Sequence, residues 1–233
     1  ENDEIYPYFQ PIKPASASNK LVIHELLMRI HQDGKIVSAY EFIEIAEARG
    51  LINSMDLMVI EKAFKEIQRT QYEGILFINL SPKSLIVGDF INKINAFVLK
   101  YEINKEKIVF EITERETVKN FSLLEKFVHN LKSDGYKFAI DDFGSGFSSF
   151  HYIKKFPIDY VKIDGDFIIN INKDIKDKAF VNSIVTLAKE LKIQTIAEFV
   201  ENEEIVDILN ELEIDYYQGF HIGKPSEKFI SFK

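Results

Sequence analysis

The chain has 233 residues, of which 46% are hydrophobic and 28% charged, as expected for one globular domain with an ample core. It contains no cysteine, which excludes disulfides, thiolate zinc sites and cysteine nucleophiles and fits a reducing compartment. A formal net charge of −8 argues against binding to a nucleic-acid polymer, and no apolar run approaches the roughly 18 residues of a membrane span, so this domain is expected to make no membrane contact.

Strand and helix patterns alternate along the whole chain. Residues 5–12 and 20–30 predict the first two strands, and Pro7 and Pro11 place the first of these at an end or a bend of the sheet. Strand patterns recur at residues 75–80, 108–113, 138–143, 160–164, 194–199 and 215–220, and helical periodicity recurs at residues 39–50, 54–69, 121–135, 178–192 and 202–213. This alternation is typical of an α/β fold.

Local signals refine these boundaries. Ser54 is expected to cap the second helix, whereas Gly50 and Gly135 are expected to end the helices before them. A loop at Pro82 leads into a helix that ends near residue 100, and a short helix is expected near His151.

About eight strands with helices between them predict a single (β/α)8 barrel of the TIM type over residues 1–233. A doubly wound open sheet is the alternative. It fits less well, because its chemistry gathers at one switch point rather than at the end of nearly every strand.

Seven apolar runs along the chain end in groups that can bind a metal ion or activate a water molecule. In chain order these groups are Glu25, Asn79, Glu111, Asp141 with Asp142, Lys162, Glu198 and Gln218. Because the strands of a barrel present their carboxyl ends on one face, these groups are expected to share one site. Apart from Lys162 and Gln218, they are hard oxygen donors that suit Mg²⁺, Mn²⁺ or Ca²⁺ rather than zinc or copper.

Strand parity divides the candidates further. Since neighbouring side chains on a strand point to opposite faces, His24 should face the helices if Glu25 faces the barrel centre. Asp141 and Asp142 cannot both point inward from a regular strand, so the strand must break there for both to serve. Two ions about 4 Å apart would stabilise an in-line phosphoryl displacement, and Lys162 could orient the water or neutralise phosphate charge.

Each group also has an ordinary structural alternative. A single glutamate at a strand end is commonly solvated or caps a helix, the Asp141–Asp142 pair could serve a turn, Lys162 could pair with Asp164, and Asn79 could form an Asx turn. These alternatives explain single positions but not the concentration of such groups at one end of the strands.

The segments around these residues form an ordered motif series. It reads FQPI from Phe9, ELLMR from Glu25, NLSP from Asn79, FEITE from Phe110, DDFGSGFSS from Asp141, KID from Lys162, AEFVE from Ala197 and QGFHIGKP from Gln218. Over essentially its whole length the chain thus resembles the EAL-domain phosphodiesterases, the family that linearises cyclic di-GMP.

The resemblance implies a role for each matched residue. Metal ligands are implied at Glu25, Asn79, Glu111, Asp141, Asp142 and Glu198, with Asp141 bridging two ions and Glu198 acting as ligand or general base. Lys162 and Gln218 would hold the catalytic water, and Arg29 and Gln10 would contact the substrate. Glu114 would brace the loop of residues 143–149, which in this family is thought to couple metal binding to dimerisation.

The implied function is hydrolysis of cyclic di-GMP to linear 5′-pGpG, with two Mg²⁺ or Mn²⁺ ions, in bacterial second-messenger signalling. The resemblance also implies a homodimer and a cytoplasmic location, or the cytoplasmic face of a membrane-anchored protein. Because the chain has no initiator methionine, it is expected to be a domain excised from a longer protein with regulatory domains. The alternatives are a catalytically inactive cyclic di-GMP receptor and an unrelated metal-dependent barrel lyase, which leaves the motif series unexplained.

Four departures from the family pattern stand out. Leu26 replaces the usual alanine, Ser145 a common threonine, Phe199 the usual glycine, and Gly165-Asp166 a frequent Arg-Ser pair. None of them removes a proposed ligand or Lys162, so catalytic activity is expected. The ring of Phe199 could alter access to Glu198 or the packing of the adjacent loop.

Overall fold

A closed β-barrel organises the part of the chain that the computed structural model describes, which is residues 4–32, 34–81, 84, 89–119, 121–145, 153 and 155–230. The strands of these residues are β1 (Ile5–Pro14), β2 (Ile23–Gln32), β3 (Lys35–Ser38), β4 (Ile75–Asn79), β5 (Ile108–Thr113), β6 (Lys137–Phe143), β7 (Tyr160–Ile163), β8 (Gln194–Ala197) and β9 (Tyr216–Gln218). Strands β2 and β4 to β9 run parallel to one another, and β1 closes the ring by pairing with both β2 and β9. The predicted barrel is confirmed, and the doubly wound sheet is excluded because the sheet closes.

One barrel strand runs against the others. The first strand, β1, is antiparallel to both of its neighbours, which distinguishes this barrel from one with eight parallel strands. Of the two expected positions, an end or a bend, the end was wrong, because this strand forms the closing seam. Phe9 exchanges backbone hydrogen bonds with Ser226 on the side away from β2. Pro7 and Pro11 share the parity of Phe9, so their missing N–H groups also point away from β2 and leave that pairing intact.

Helices pack around the outside of the barrel. Within the described ranges they are α1 (Ala39–Ala48), α2 (Ile52–Thr70), α3 (Phe90–Lys100), α4 (Glu114–Lys119), α5 (Phe121–Ser133), α6 (Gly165–Ile168), α7 (Ile175–Glu190) and α8 (Glu203–Glu211), with a 3₁₀ turn at Lys105–Lys107. Among the described residues, no helix combines the length and the apolar character needed to cross a membrane. Strand β3 and the short helices α4 and α6 had no predicted counterpart. The loop at Pro82 and the helix near His151 fall outside the described residues.

The two helix ends predicted from glycine agree with the structure, whereas the helix start predicted from serine does not. Helix α1 ends two residues before Gly50, and α5 ends two residues before Gly135. Both glycines have a left-handed backbone, with φ values of 67° and 97°. The prediction that Ser54 caps α2 was wrong, because the helix begins at residue 52 and the Ser54 hydroxyl donates to the carbonyl of Leu51.

Two apolar layers hold the barrel together. The larger layer lies between the strands and the helices, where alternate strand residues such as Leu76, Phe110 and Val161 are buried. The smaller layer fills the inside of the barrel with the side chains of Ile12, Ile23, Ile75, Phe77, Val109, Ala139, Tyr160, Ile196 and Tyr216. The interior is therefore a packed plug rather than a channel.

A partly buried carboxyl group on α2, that of Asp56, makes a testable contribution to stability. Asp56 lies at an apolar cavity of about 170 Å³ and accepts a hydrogen bond of 3.1 Å from the Ser84 hydroxyl. Burial raises the pKa of Asp56 to about 7, although the Ser84 hydrogen bond opposes the shift. The folded state therefore holds a proton that the unfolded state releases near pH 4, and this stability is lost as the pH rises towards 7.

We expect Asp56→Asn to remove this pH dependence, because asparagine keeps the Ser84 hydrogen bond but does not ionise. The free energy of unfolding of the variant should rise relative to the wild type by about 3 kcal/mol between pH 5 and pH 8. Urea titrations of both proteins at the two pH values measure this. Equal pH dependence in the two proteins would contradict the assignment.

Candidate active site

Lys162 on β7 lies at the centre of the strand-end groups, with its side chain only 1% exposed. Its Nζ lies 2.8 Å from Glu111 Oε2, 3.0 Å from Asp141 Oδ1, 3.0 Å from Glu198 Oε1 and 3.3 Å from Glu25 Oε2. Four strands thus direct carboxylates at one ammonium group, although Glu25 lies near the start of β2, which continues to Gln32. A charge is tolerated at this depth because it is paired.

These polar groups form a second layer above the apolar plug. Each lies two residues beyond a plug residue, and the pairs are Ile23 and Glu25, Phe77 and Asn79, Val109 and Glu111, Ala139 and Asp141, Tyr160 and Lys162, Ile196 and Glu198, and Tyr216 and Gln218. On antiparallel β1 the order is reversed, and Gln10 precedes Ile12. Because side chains alternate with a period of two, both members of each pair point into the barrel. The plug closes the floor of the site.

Amide side chains complete the inner wall. Asn79 Nδ2 donates to Glu25 Oε1 at 2.8 Å, and Gln218 Nε2 donates to the other oxygen of the same carboxylate. Gln218 Nε2 also lies 3.4 Å from Gln10 Oε1. The Asn79 amide nitrogen thus binds a carboxylate of the neighbouring strand β2. The predicted outward position of His24 is confirmed, since its Nδ1 lies 2.9 Å from the Tyr72 hydroxyl.

Asp141 and Asp142 reach the same region because β6 is irregular there. Its pairing with β7 shifts register between Ile140 and Phe143, and Asp142 has a left-handed backbone with φ 52°. Carboxylate oxygens of Asp141, Asp142 and Glu198 all lie within 4.8 Å of one another. The predicted break thus takes the form of a bulge inside a strand that continues to Phe143.

The pairing of Lys162 with Asp164 that the sequence left open does not occur. Asp164 instead caps the short helix α6, where its side chain accepts a hydrogen bond of 2.8 Å from the backbone N–H of Asp166.

Burial and neighbouring charges shift the pKa values of the cluster residues in different directions. Burial by itself lowers the pKa of Lys162, but the surrounding carboxylates raise it well above its usual value, so the ammonium stays charged. Burial raises the pKa of both Glu111 and Glu198 well above the ordinary range, and Lys162 only partly opposes this. Burial, together with the neighbouring Asp141, raises the pKa of Asp142 to about 6. For Glu25 burial also raises the pKa, but Lys162 and the two amide donors outweigh it, and the net shift is downward.

The donor set fits divalent cations. The five carboxylates Glu25, Glu111, Asp141, Asp142 and Glu198 face the single ammonium of Lys162, which leaves four negative charges that two divalent ions would balance when all groups are ionised. Buried oxygens of Glu111 (Oε1), Glu198 (Oε2) and Gln218 (Oε1) have no hydrogen-bond donor among the described residues. Orphaned hard oxygens beside excess negative charge are what Mg²⁺ or Mn²⁺ coordinates.

The cluster opens into a cavity of about 540 Å³ at the barrel mouth. Arg29, Gln10, Glu198 and Gln218 all line this cavity, so the predicted substrate-binding residues share it with the predicted catalytic ones. The guanidinium of Arg29 is half-buried and donates to the carbonyl of Met28 at 2.9 Å. A guanidinium at the mouth of this cavity suits the phosphate of an anionic ligand.

Glu114 lies under the segment that follows β6. Its Oε2 accepts a hydrogen bond of 2.8 Å from the backbone N–H of Gly144, and its side chain is buried. This contact supports the bracing role, which stays a prediction because most of the loop, residues 146–149, lies outside the described residues.

Comparison with known proteins agrees with this arrangement. A model of the EAL domain matches residues 1–225. The chain belongs to the EAL-domain family. This EAL domain is 38% identical over 229 residues to the cyclic di-GMP phosphodiesterase PdeB of Shewanella oneidensis, covering 97% of this chain and 27% of that protein. It is 39% identical over 228 residues to the cyclic di-GMP phosphodiesterase PdeA of Borreliella burgdorferi, covering 97% of this chain and 34% of that protein. The EAL domain thus spans about a third of the length of these curated relatives.

A solved structure supports the fold of the EAL domain independently. The MucR phosphodiesterase of Pseudomonas aeruginosa, in a complex with cyclic di-GMP, superimposes with a TM-score of 0.88 at 26% identity. The match covers 96% of this chain and 92% of that chain. The two proteins therefore share the same fold.

Two residues of the mouth had no role in the sequence prediction. Tyr40, at the start of α1, is 92% exposed, and Phe220, after β9, is 62% exposed, yet both line the cavity. Phe220 belongs to the QGFHIGKP motif, so the motif offered a signal. Tyr40 offered none, because a lone aromatic residue in a helical pattern is read as core.

Proposed function

We propose that this EAL domain hydrolyses cyclic di-GMP to linear 5′-pGpG. One observation carries the proposal, namely a cluster that opens into the Arg29 cavity, in which four carboxylates contact Lys162 and a fifth, that of Asp142, lies beside Asp141 and Glu198. The relatives named as cyclic di-GMP phosphodiesterases support the choice of substrate.

The residues that would hold two divalent ions are Glu25, Asn79, Glu111, Asp141, Asp142 and Glu198. Mg²⁺ or Mn²⁺ bound there would supply charge neutralisation for an in-line displacement at phosphorus and would acidify water. The excess negative charge and the orphaned oxygens of Glu111 and Glu198 support this assignment.

The protein side chains supply the proton transfer and orientation. Glu198 is the group we assign to accept the proton of the attacking water, because its carboxylate contacts Lys162 and also lines the cavity that would hold the substrate. Lys162 stays protonated and acts as a hydrogen-bond donor rather than as a base. The orphaned Oε1 of Gln218 would accept a hydrogen bond from the same water. Arg29, with Gln10 beside it, would hold the phosphate.

The decisive experiment incubates the purified domain with cyclic di-GMP in Mg²⁺, Mn²⁺ or excess EDTA and separates the products by chromatography. We expect 5′-pGpG with either metal and no product with EDTA. Absence of product under every metal condition would contradict the proposal, and tight binding without turnover would identify a receptor instead.

We further infer a homodimer in the cytoplasm, or at the cytoplasmic face of a longer protein with regulatory domains. The family resemblance supports these proposals, and the small fraction of each curated relative that the chain covers supports the longer protein only. Light scattering with and without Mg²⁺ would measure the oligomeric state directly.

A further inference from the structure

Phe199 has an unusual backbone for a bulky residue. Its φ is 52°, in the left-handed region that favours glycine. Six non-glycine residues among those described have a positive φ, and the others are Gln71, Glu102, Asp142, Lys192 and Glu213. Phe199 is thus the one aromatic residue of this group. A strained conformation that persists beside a functional site is a reason to look for a function.

The ring of Phe199 rests on Gly165. A Cβ atom placed on Gly165 would lie 2.3 Å from Cδ2 and 2.6 Å from Cγ of this ring. Any side chain at position 165 would therefore displace the ring. Two of the positions at which this chain departs from the family pattern, residues 165 and 199, are thus in direct contact.

The rest of the ring is open to the cavity. Phe199 is 55% exposed and lines the cavity of about 540 Å³ together with Arg29, Tyr40 and Phe220. It directly follows Glu198 in the chain, so the ring stands beside the acidic cluster. A residue that served packing alone would not combine a strained backbone with more than half of its surface in water.

We infer that Phe199 is a ligand-contacting residue whose ring, seated on Gly165, forms a flat wall on which one guanine base of the substrate stacks. Purine bases stack on aromatic side chains, and Arg29 at the same cavity provides the charge for the adjoining phosphate. The identity of the base rests on the proposed function. The position of the Phe199 ring and its dependence on Gly165 are independent of the proposed function.

The test compares Phe199→Gly and Phe199→Trp with the wild type. For Phe199→Gly we expect the KM for cyclic di-GMP to rise about 10-fold and kcat to fall less, because a stacking contact is lost. The Tm should stay within about 3 °C, since glycine relieves the left-handed backbone while the contact with Gly165 is lost. Phe199→Trp keeps a flat ring and introduces the only tryptophan of the chain, since the natural sequence has none. Its fluorescence should be quenched on rapid mixing with cyclic di-GMP and Mg²⁺.

A double-mutant cycle tests the contact between the Phe199 ring and Gly165. Gly165→Ala should raise KM as Phe199→Gly does, and the two changes together should raise it no further than Phe199→Gly alone, because the methyl group then meets no ring. Lys192→Gly is the matched control, since Lys192 is exposed and has a similar backbone (φ 59°). It should leave KM unchanged.

The outcomes separate this inference from the proposed function. Wild-type turnover with an unchanged KM in Phe199→Gly overturns the inference and leaves the phosphodiesterase intact. A Tm loss above about 8 °C with an unchanged KM assigns the ring to packing and also overturns it. If the wild type shows no turnover, the proposed function fails, and the tryptophan signal alone decides the role of residue 199.

Discussion

Lys162→Met is expected to lower the free energy of unfolding by about 3–5 kcal/mol at pH 8 without divalent ions. Removal of the ammonium leaves the carboxylates of Glu25, Glu111, Asp141 and Glu198 without the cation that now lies within 3.3 Å of each. The loss should shrink at lower pH. Without the lysine, the folded-state pKa values of Glu111 and Glu198, which burial already raises, rise further above their unfolded values, so stability decreases as the pH rises.

Urea unfolding at pH 5 and pH 8, with and without Mg²⁺, measures these effects. Mg²⁺ should recover part of the stability of the variant, because it supplies the missing positive charge. Hydrolysis of cyclic di-GMP should fall by roughly 10²-fold or more, since an aligned donor at the reacting centre is lost. Lys178→Met is the matched control. Lys178 makes an exposed ion pair with Glu211, whose loss should cost less than about 1 kcal/mol. A Lys162→Met protein as stable as this control would refute the central role of the lysine.

Glu198→Gln is expected to lower kcat by at least roughly 10²-fold, because the amide keeps the shape of the side chain but cannot accept a proton. The dependence of kcat on metal concentration in this variant distinguishes a general base from a metal ligand. If Glu198 acts as a general base, saturating Mg²⁺ or Mn²⁺ does not restore kcat. If it serves only as a metal ligand, high metal restores most of the rate.

Steady-state kinetics across a metal titration give this answer. Glu213→Gln is the control, since Glu213 is exposed and pairs with Lys189, and neither residue belongs to the acidic cluster. An unchanged kcat for Glu198→Gln at saturating metal would remove Glu198 from the base role.

Much of the candidate site could be predicted because strand parity is a local property. A period of two in the sequence placed Glu25 on the inner face and His24 on the outer face, and the structure agrees. The same pattern places each polar group directly above a plug residue, as with Val109 and Glu111. Local turn chemistry was also readable at Gly50 and Gly135, where the backbone demands glycine.

Other features could not be read because they depend on partners far along the chain. The hydrophobic pattern of β1 is the same in either direction, so its antiparallel pairing with β2 and β9 was not predicted. Ser54 looked like a cap because its sequence context is right, but the helix gains an additional turn from Ile52, which is buried in the core.

The sequence by itself determined the family, the barrel and the set of groups that meet at its mouth, since periodicity and motif order are written in neighbouring residues. Only the tertiary structure decided how those groups are used. It made Lys162 the counter-ion of four carboxylates rather than the partner of Asp164, and it turned the Asp141–Asp142 junction into a bulge. It also brought Phe199 onto Gly165. Distances across a barrel depend on strand register and on closure of the sheet. Both are determined jointly by residues that are far apart in the chain.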